Sequence, residues 1–574
     1  MKRKRSPSQY ALPSAPMFPE ATLAGTARGP NRSDLLTSSV VVRGAILLGF
    51  SLLVVLSWTR NVNWDEFYFL SRIHEHLAGS LETPMQTFHV HLFGWLAQVP
   101  GTEMTQIFVA RLCMTGLFAW TAWSIHRIAT QLGDRRTADI AVLAFLTSGF
   151  ALAHGTSFRA DPIAAACLMG ALAIVMTGRM SLWQIFAVAI LSTLAVLVTI
   201  KSALYLPAFL GALLWRSDRL AVVGRIVLAG LIALPIAAGL FALHVASLPA
   251  PPEASALDNA GAAASKTLVQ SGFFPRSNTA LLWALLSLGP TTLAVIGLLR
   301  AGSLRRGILF LSFALPLIAS VILYRNAFAY FFPFIVPPLM VIVAFGAMRV
   351  GRGPVLACAI ALSLVSGFWQ GMRSLGEHAA LQRATIAEVH RLFPEPVHYI
   401  DHNAMISTFP RELFFMSSWG IEGYHGVGVP VMAAYLEEHA PPLLLTNRWA
   451  LHQTMTASEM TDDPHALLPE DQAVLRASYI HYSGTIWLAG LEMTLGSETA
   501  AHALPIPGRY RLESPVDLII DGRRVSDGDI IEGSGLVTIS GPLGTDVRLI
   551  WHTDAVQQEG VLPQSRLYAG FWRL

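Results

Sequence analysis

The chain has 574 residues, of which 53% are hydrophobic and 13% charged, with a formal net charge of +3 and a mean hydropathy of +0.50. Soluble domains carry about 25% charged residues, so this composition excludes a soluble multidomain chain. The basic residues flank apolar blocks instead of forming a patch, which points to helix orientation in a bilayer and excludes nucleic-acid binding.

The N-terminal stretch 1–39 opens Met1-Lys2-Arg3-Lys4-Arg5 and continues rich in Pro, Ser and Gly, as a disordered cytosolic tail would. Apolar blocks then follow at 40–58, 106–129, 138–153, 162–176, 182–200, 203–215, 220–246, 279–299, 307–323, 327–347 and 354–371. These predict about eleven transmembrane helices within a membrane domain, 40–372. The stretch 182–215 is broken only at Lys201-Ser202; as one helix it would be about 50 Å long against a hydrocarbon core of about 30 Å, so it reads as a hairpin.

With the basic tail in the cytosol, Arg135, Arg136, Arg179, Arg216, Arg219, Arg300, Arg305, Arg306, Arg349 and Arg352 fall on that side at successive turns, satisfying the positive-inside rule. The expectation is a multi-pass protein of the bacterial inner membrane, its N-terminus cytosolic. An odd number of spans puts the C-terminal domain on the periplasmic face. The long outer loop, 59–105, mixes apolar and polar residues at helical spacing over 64–77 and 85–96, as interfacial helices do.

Beyond the last span, 373–395 reads as an amphipathic stalk and 396–574 as a soluble domain. Its first half mixes strand-like and helical runs in α/β fashion. Its second half alternates the runs 516–520, 536–539 and 547–551 with the turn dipeptides Asp521-Gly522 and Asp527-Gly528, predicting a small antiparallel sheet or sandwich. The fold class is therefore a polytopic α-helical membrane protein with a C-terminal α/β plus β-sandwich-like domain. Cys113, Cys167 and Cys358 all lie in apolar blocks, so no disulfide staples that domain.

Ionisable residues in and beside membrane spans call for a role or a partner, and here they gather on the outer side: Asp65, Glu66, Glu82, His89, His91, Arg159, Asp161, Lys201, Arg325 and the polar Tyr330. Carboxylates there could take a proton from an acceptor hydroxyl while cations hold a phosphate; alternatively Arg159 pairs with a carboxylate and Asp161 caps the helix opening at Pro162. Glu82, His89 and His91 are competent ligands for a divalent metal ion, with plain hydrogen bonding as the alternative. The same two readings apply to His398, Asp401, His402, Glu412 and His425 in the soluble domain.

The order Asn63-Trp64-Asp65-Glu66, Glu82-Thr83-Pro84, Ala110-Arg111-Leu112, Phe158-Arg159-Ala160-Asp161-Pro162, Lys201, and Arg325 with Tyr330 resembles the GT-C glycosyltransferases over about the first 350 residues. The resemblance is to the bacterial branch related to protein O-mannosyltransferases and lipid A aminoarabinose transferases. It implies a sugar donor on a polyprenyl phosphate and a hydroxyl acceptor on a glycolipid, polysaccharide or protein, in an inverting transfer on the periplasmic side. By the same resemblance Asp65 is the general base and Glu66 a neighbouring acidic site residue. Asp161 orients the acceptor or helps to bind a cation, and Lys201, Arg325 and Tyr330, helped by Arg159 and Arg111, hold the departing phosphate. Some relatives carry a Lys where this chain has Thr83. A secondary transporter or lipid flippase is the competing reading, and it expects polar residues near the membrane midplane on broken helices.

Overall fold

The computed structural model describes residues 36–249, 272–375, 379–411, 413, 416–460, 463, 465–555, 562–564 and 567–568; the tail 1–35 and Glu412 lie outside them. The membrane region is built from α1 (Ser39–Thr59), α2 (Trp64–Ala78), α3 (His89–Phe93), α4 (Glu103–Ala129), α5 (Arg135–Thr147), α6 (Ala151–His154), α7 (Ala160–Thr177), α8 (Leu182–Val198), α9 (Leu206–Trp215), α10 (Leu220–Ala246), α11 (Ser277–Leu286), α12 (Leu288–Leu299), α13 (Leu304–Leu323), α14 (Phe332–Ile335), α15 (Pro337–Val350) and α16 (Pro354–Leu375). Every apolar block is helical, and the chain is a multi-pass membrane protein. Among the described residues, six helices are individually long and apolar enough to cross a bilayer, or up to eight if each bent pair counts as one span.

The difference from eleven lies in short and broken segments. The block 279–299 bends by 92° between α11 and α12, and 327–347 bends by 64° between the turn ending in α14 and α15. Helix α5 has only 13 residues. The hairpin at Lys201 is present: Lys201 meets Asp161 at one end of the bundle, while Arg216 donates to the carbonyls of Met176 and Gly178 at the other. Its return arm combines a 3-10 turn of six residues with a ten-residue α-helix. At about 2.0 and 1.5 Å per residue these reach roughly 27 Å, close to the hydrocarbon thickness.

Helix α7 is the centre of the bundle, with 89% of its apolar window buried, whereas α10 is peripheral at 6%. Close packing beside it depends on glycine: a Cβ on Gly346 of α15 would lie 1.9 Å from the Leu293 carbonyl oxygen of α12. Small residues of this kind let helix backbones approach in a membrane, where no hydrophobic gain drives association.

The bundle has two chemically distinct ends. At one, basic side chains bind carbonyls and acids: Arg136 to Thr37, Arg43 to Asp139, Arg225 to Arg179 and Arg305 to Asp218. At the other sit the 158–161 loop, Lys201, Tyr330 and α2. Asn63 and Glu66 form a capping box at the start of α2, Gly79 (φ 71°) ends it, and Phe67, Leu70 and Ile73 form its buried face.

The C-terminal region docks on this second end. Among the described residues it contains α17 (Ala379–Leu392), α18 (Ser418–Val427), α19 (Met432–His439), α20 (Trp449–Thr456) and α21 (Pro469–Ser478), with nine strands: β1 (Tyr399–Ile400), β2 (Leu443–Leu445), β3 (Tyr479–Ser483), β4 (Ile486–Thr494), β5 (Thr499–Glu513), β6 (Leu518–Ile520), β7 (Arg523–Val525), β8 (Ile530–Ser540) and β9 (Asp546–Trp551). The strands form one sheet in the order β1-β2-β4-β9-β5-β8-β6-β7, with β3 beside β4, so that the expected α/β and antiparallel halves share a single sheet. The nine-residue β4 joins the two, pairing with β2 through Leu443–Leu488 and with β9 through Leu491–Leu549. Asp521 (φ 49°) and Gly522 (φ 78°) make the β6–β7 turn as their dipeptide suggests.

Several contacts among the described residues fasten this domain to the membrane region, among them two built on buried side chains. The Gln382 amide pairs with both backbone groups of Val62 at 2.8 Å, and buried Glu103 accepts from Thr408 Oγ1 at 2.7 Å and bonds His390 at 2.9 Å. One apolar cluster runs across the junction, from Phe67, Leu70 and Phe158 to Ile386, Tyr399 and Leu443.

The junction itself is organised by Glu66 and Arg111, both buried. The pair is bidentate, at 2.6 and 2.7 Å. Arg111 also donates to the carbonyls of Ser57, Arg60 and Asn61, and Glu66 accepts from the Phe158 amide at 2.9 Å. Burial pushes the Glu66 carboxyl up, but the Arg111 charge and hydrogen bonds, with Arg60 and the Phe158 amide, bring it down to about 2. Its folded value lies below the ordinary 4.5, so its contribution is complete above about pH 4.5 and is lost as pH falls toward 2.

Two outcomes follow for thermal unfolding of the detergent-solubilised protein. Glu66→Gln, which strands the Arg111 charge, should cost about 3–5 kcal/mol at neutral pH, with Glu66→Leu/Arg111→Met recovering most of it; the wild-type advantage over Glu66→Gln should shrink between pH 4.5 and 2. Gly346→Ala should cost about 1–3 kcal/mol by forcing α12 and α15 apart, while Gly307→Ala, where a Cβ meets nothing within 4 Å, should be neutral.

Candidate active site

The Glu66–Arg111–Phe158 clamp places the residue after Phe158 against the residue before Glu66. Arg159 Nη1 lies 2.5 Å from Asp65 Oδ2, and Arg159 Nε lies 3.5 Å from Asp161 Oδ2. Lys201 Nζ contacts Asp161 Oδ1. The result is an alternating ladder Asp65–Arg159–Asp161–Lys201 contributed by α2, the loop before α7, α7 itself and the hairpin turn. Tyr330 closes one side, its ring 3.5 Å from the Arg159 guanidinium carbon, and Phe331 lies 6.0 Å from Lys201 Nζ.

The ladder grades from open to closed. The Asp65 side chain keeps 27% of its surface exposed, whereas Asp161 keeps 5%. Beneath the Arg159–Asp161 rungs, a narrow cavity of about 10 Å³ lies between His154, Pro162, Tyr330 and Phe334. Burial opposes the Arg159 charge, but Asp65 outweighs it with help from Tyr330 and Asp161, so the guanidinium is held above its ordinary value. A carboxylate with an open edge, backed by fixed cations, suits proton abstraction next to a departing anion.

The structure thus brings Asp65, Arg159, Asp161, Lys201 and Tyr330 together. It places Glu66 and Arg111 beside the ladder in the buried clamp, paired with each other. Residues 65 and 66 diverge because successive helix positions differ by about 100° in direction. Arg325 lies at the rim, 2.6 Å from Glu422 of α18.

The metal reading of Glu82, His89 and His91 is corrected. Among the described residues no group of three His, Cys, Asp or Glu side chains converges in a metal-binding arrangement. His89 Nε2 lies 3.0 Å from the Phe69 carbonyl, and burial pushes this imidazole down to about 4. His91 turns away to His244, 2.8 Å between ring nitrogens, since positions two apart on a helix point to opposite sides. Asp161 is likewise held by Lys201 and Arg159 instead of standing ready for a cation. The soluble-domain set is dispersed too: Asp401 binds Arg411 and Asn447, His398 stacks on His439, His425 meets the Ala466 carbonyl and His402 binds Arg448.

Residues of the C-terminal domain also border the site. His402, Arg448 and Tyr568 surround Trp64, the neighbour of Asp65. No local signal marks Arg448 and Tyr568 or places His402 here, because only the docking of the domain brings them there.

No protein family and no curated protein matches the sequence. Solved structures do. ArnT from Cupriavidus metallidurans bound to undecaprenyl phosphate superposes with a TM-score of 0.53 at 14% identity, covering 71% of this chain and 94% of that one. The apo state of the same protein gives 0.50 at 14% identity, covering 73% and 95%. The oligosaccharyltransferase of Archaeoglobus fulgidus gives 0.49 at 12% identity, covering 86% and 74%. The chain has the GT-C fold of the ArnT structures.

Proposed function

We propose that this protein is a glycosyltransferase that moves a sugar from a polyprenyl-phosphate donor to a hydroxyl acceptor at the membrane end covered by the C-terminal domain, which we assign to the periplasmic face of a bacterial inner membrane. The observation that carries the reading is the graded ladder: an open carboxylate, Asp65, at one end, and at the other the buried cations Arg159 and Lys201 held by Asp161. The ArnT structure that shares the fold holds undecaprenyl phosphate, a ligand whose phosphate suits Lys201 and Arg159.

In this reading the acceptor hydroxyl approaches the open edge of Asp65. Its oxygen forms a bond to the anomeric carbon as the bond from that carbon to the phosphate oxygen breaks. The electron pair leaves with the lipid phosphate, stabilised by Lys201 and Arg159, and the hydroxyl proton passes to the Asp65 carboxylate. A single displacement inverts the anomeric centre. Asp161 holds both cations in place before the phosphate arrives, with Tyr330 flanking Arg159. Arg325, at the rim, meets the donor sugar or phosphate once its pairing with Glu422 opens. The gathering of charge at one end of the bundle, not at mid-depth, favours this reading over a transporter or flippase.

Asp65→Asn should lower transfer from a polyprenyl-phosphate sugar by about 10²–10⁴-fold, with a lowered but still cooperative thermal unfolding transition because Arg159 loses its main partner; unimpaired transfer would remove Asp65 from the chemistry. Lys201→Ala should weaken undecaprenyl phosphate binding by about 10- to 150-fold, the equivalent of a charge-assisted hydrogen bond of about 1.5–3 kcal/mol. Titration of the purified protein with that lipid measures this. Accumulation of a sugar lipid inside reconstituted vesicles without a new glycosidic product would instead select the transporter.

A further inference from the structure

Arg448 is a half-buried cation that makes no ion pair among the described residues. Its guanidinium carbon lies 5.6 Å from the centre of the Trp64 ring, and its Nη1 lies 2.8 Å from His402 Nε2. Arginine only donates, so His402 accepts through that nitrogen and is neutral, in keeping with a buried imidazole held well below its ordinary value. A neutral acceptor fixes the guanidinium without cancelling its charge.

The support behind it is rigid. The Asn447 side chain accepts from the His402 amide at 3.0 Å and donates to Asp401 at 3.1 Å; Asp401 is held by Arg411 and by the amides of Ala404 and Met405. Tyr568 packs edge-on against Trp64 at 5.8 Å. The other cations of the site differ in that each is committed to a carboxylate: Arg159 to Asp65, Lys201 to Asp161, Arg325 to Glu422. Taking part of a charge out of water is costly; Asp65 and Tyr568 offset the burial of Arg448 only in part, and an arriving anion would offset the rest.

Position tells which anion. Arg159 and Lys201 come from the membrane bundle and are tied to Asp65 and Asp161, whereas Arg448 comes from the soluble domain and lies against Trp64, the neighbour of Asp65. Building on the transferase reading, we infer that Arg448 and Trp64 form an acceptor subsite for a sugar bearing a negatively charged group, phosphate or carboxylate, with the ring on the indole and the anion on the guanidinium.

The test titrates the full-length purified protein with glucose 6-phosphate, glucuronate and glucose, and separately with undecaprenyl phosphate. At least one charged sugar should bind tenfold or more tightly than glucose. Arg448→Gln should abolish that preference, Arg448→Lys should keep part of it, and neither should change undecaprenyl phosphate binding, which also reports that the variants are folded. Equal binding of all three sugars, or a preference that survives Arg448→Gln, overturns the subsite while leaving the transferase reading intact. Loss of undecaprenyl phosphate binding in Arg448→Gln, but not in Arg448→Lys, overturns it by moving Arg448 to the donor side. Failure of the wild type to bind undecaprenyl phosphate counts against the transferase reading instead.

Discussion

The buried Glu66–Arg111 pair is the constraint on which the site depends. Two charges taken from water at a membrane boundary are tolerable only when every remaining hydrogen-bonding position is filled, and here the fillers are structural: three carbonyls from the end of α1 and the residues after it, and the amide of Phe158. One ion pair therefore sets the positions of three segments distant in sequence. Asp65 and Arg159 are each one residue from a clamped atom, so their mutual distance is inherited from it.

The bundle adds a second constraint. Because α7 is buried almost throughout, its first turn arrives at the centre of the protein, and Asp161 can be reached only from neighbouring elements. The hairpin turn at Lys201 and the aromatic turn at 329–331 supply those neighbours. The soluble domain then covers the assembly, joined by an apolar cluster and by the Gln382 and Glu103 contacts, so it forms a wall of the site as well as an appendage.

Much of this was legible in the sequence. The apolar blocks appear as helices because lipid-facing and core-facing positions alike must be apolar there, and the Lys201 break marks a real reversal. The bends between α11 and α12 and between α14 and α15 leave no trace in the sequence, since Ser287 and Val336 are compatible with a straight helix. In the sheet, turn dipeptides reveal local hairpins, but the pairing of β4 with both β2 and β9 is long-range and carries no local pattern. Asp65 and Glu66 look equivalent as neighbours in a string, and only helix direction separates an open carboxylate from a buried one. His89 and His91 look like a ligand pair for the same reason. Arg448 was invisible because nothing near it in the chain indicates that Trp64 will be its neighbour.

The Asn61 side chain donates to the carbonyl of Leu567, a contact between residues 506 positions apart, and Tyr568 packs beside Trp64. Ribosomes add about 5–20 residues per second, so the partner of Asn61 emerges roughly 25–100 s after it. Over that interval the helices can insert and the Glu66–Arg111 clamp can close, while the wall over Trp64 is still missing. Completion of the site is thereby timed by synthesis itself: a nascent chain holds the ladder of charges well before it holds the surface that covers it.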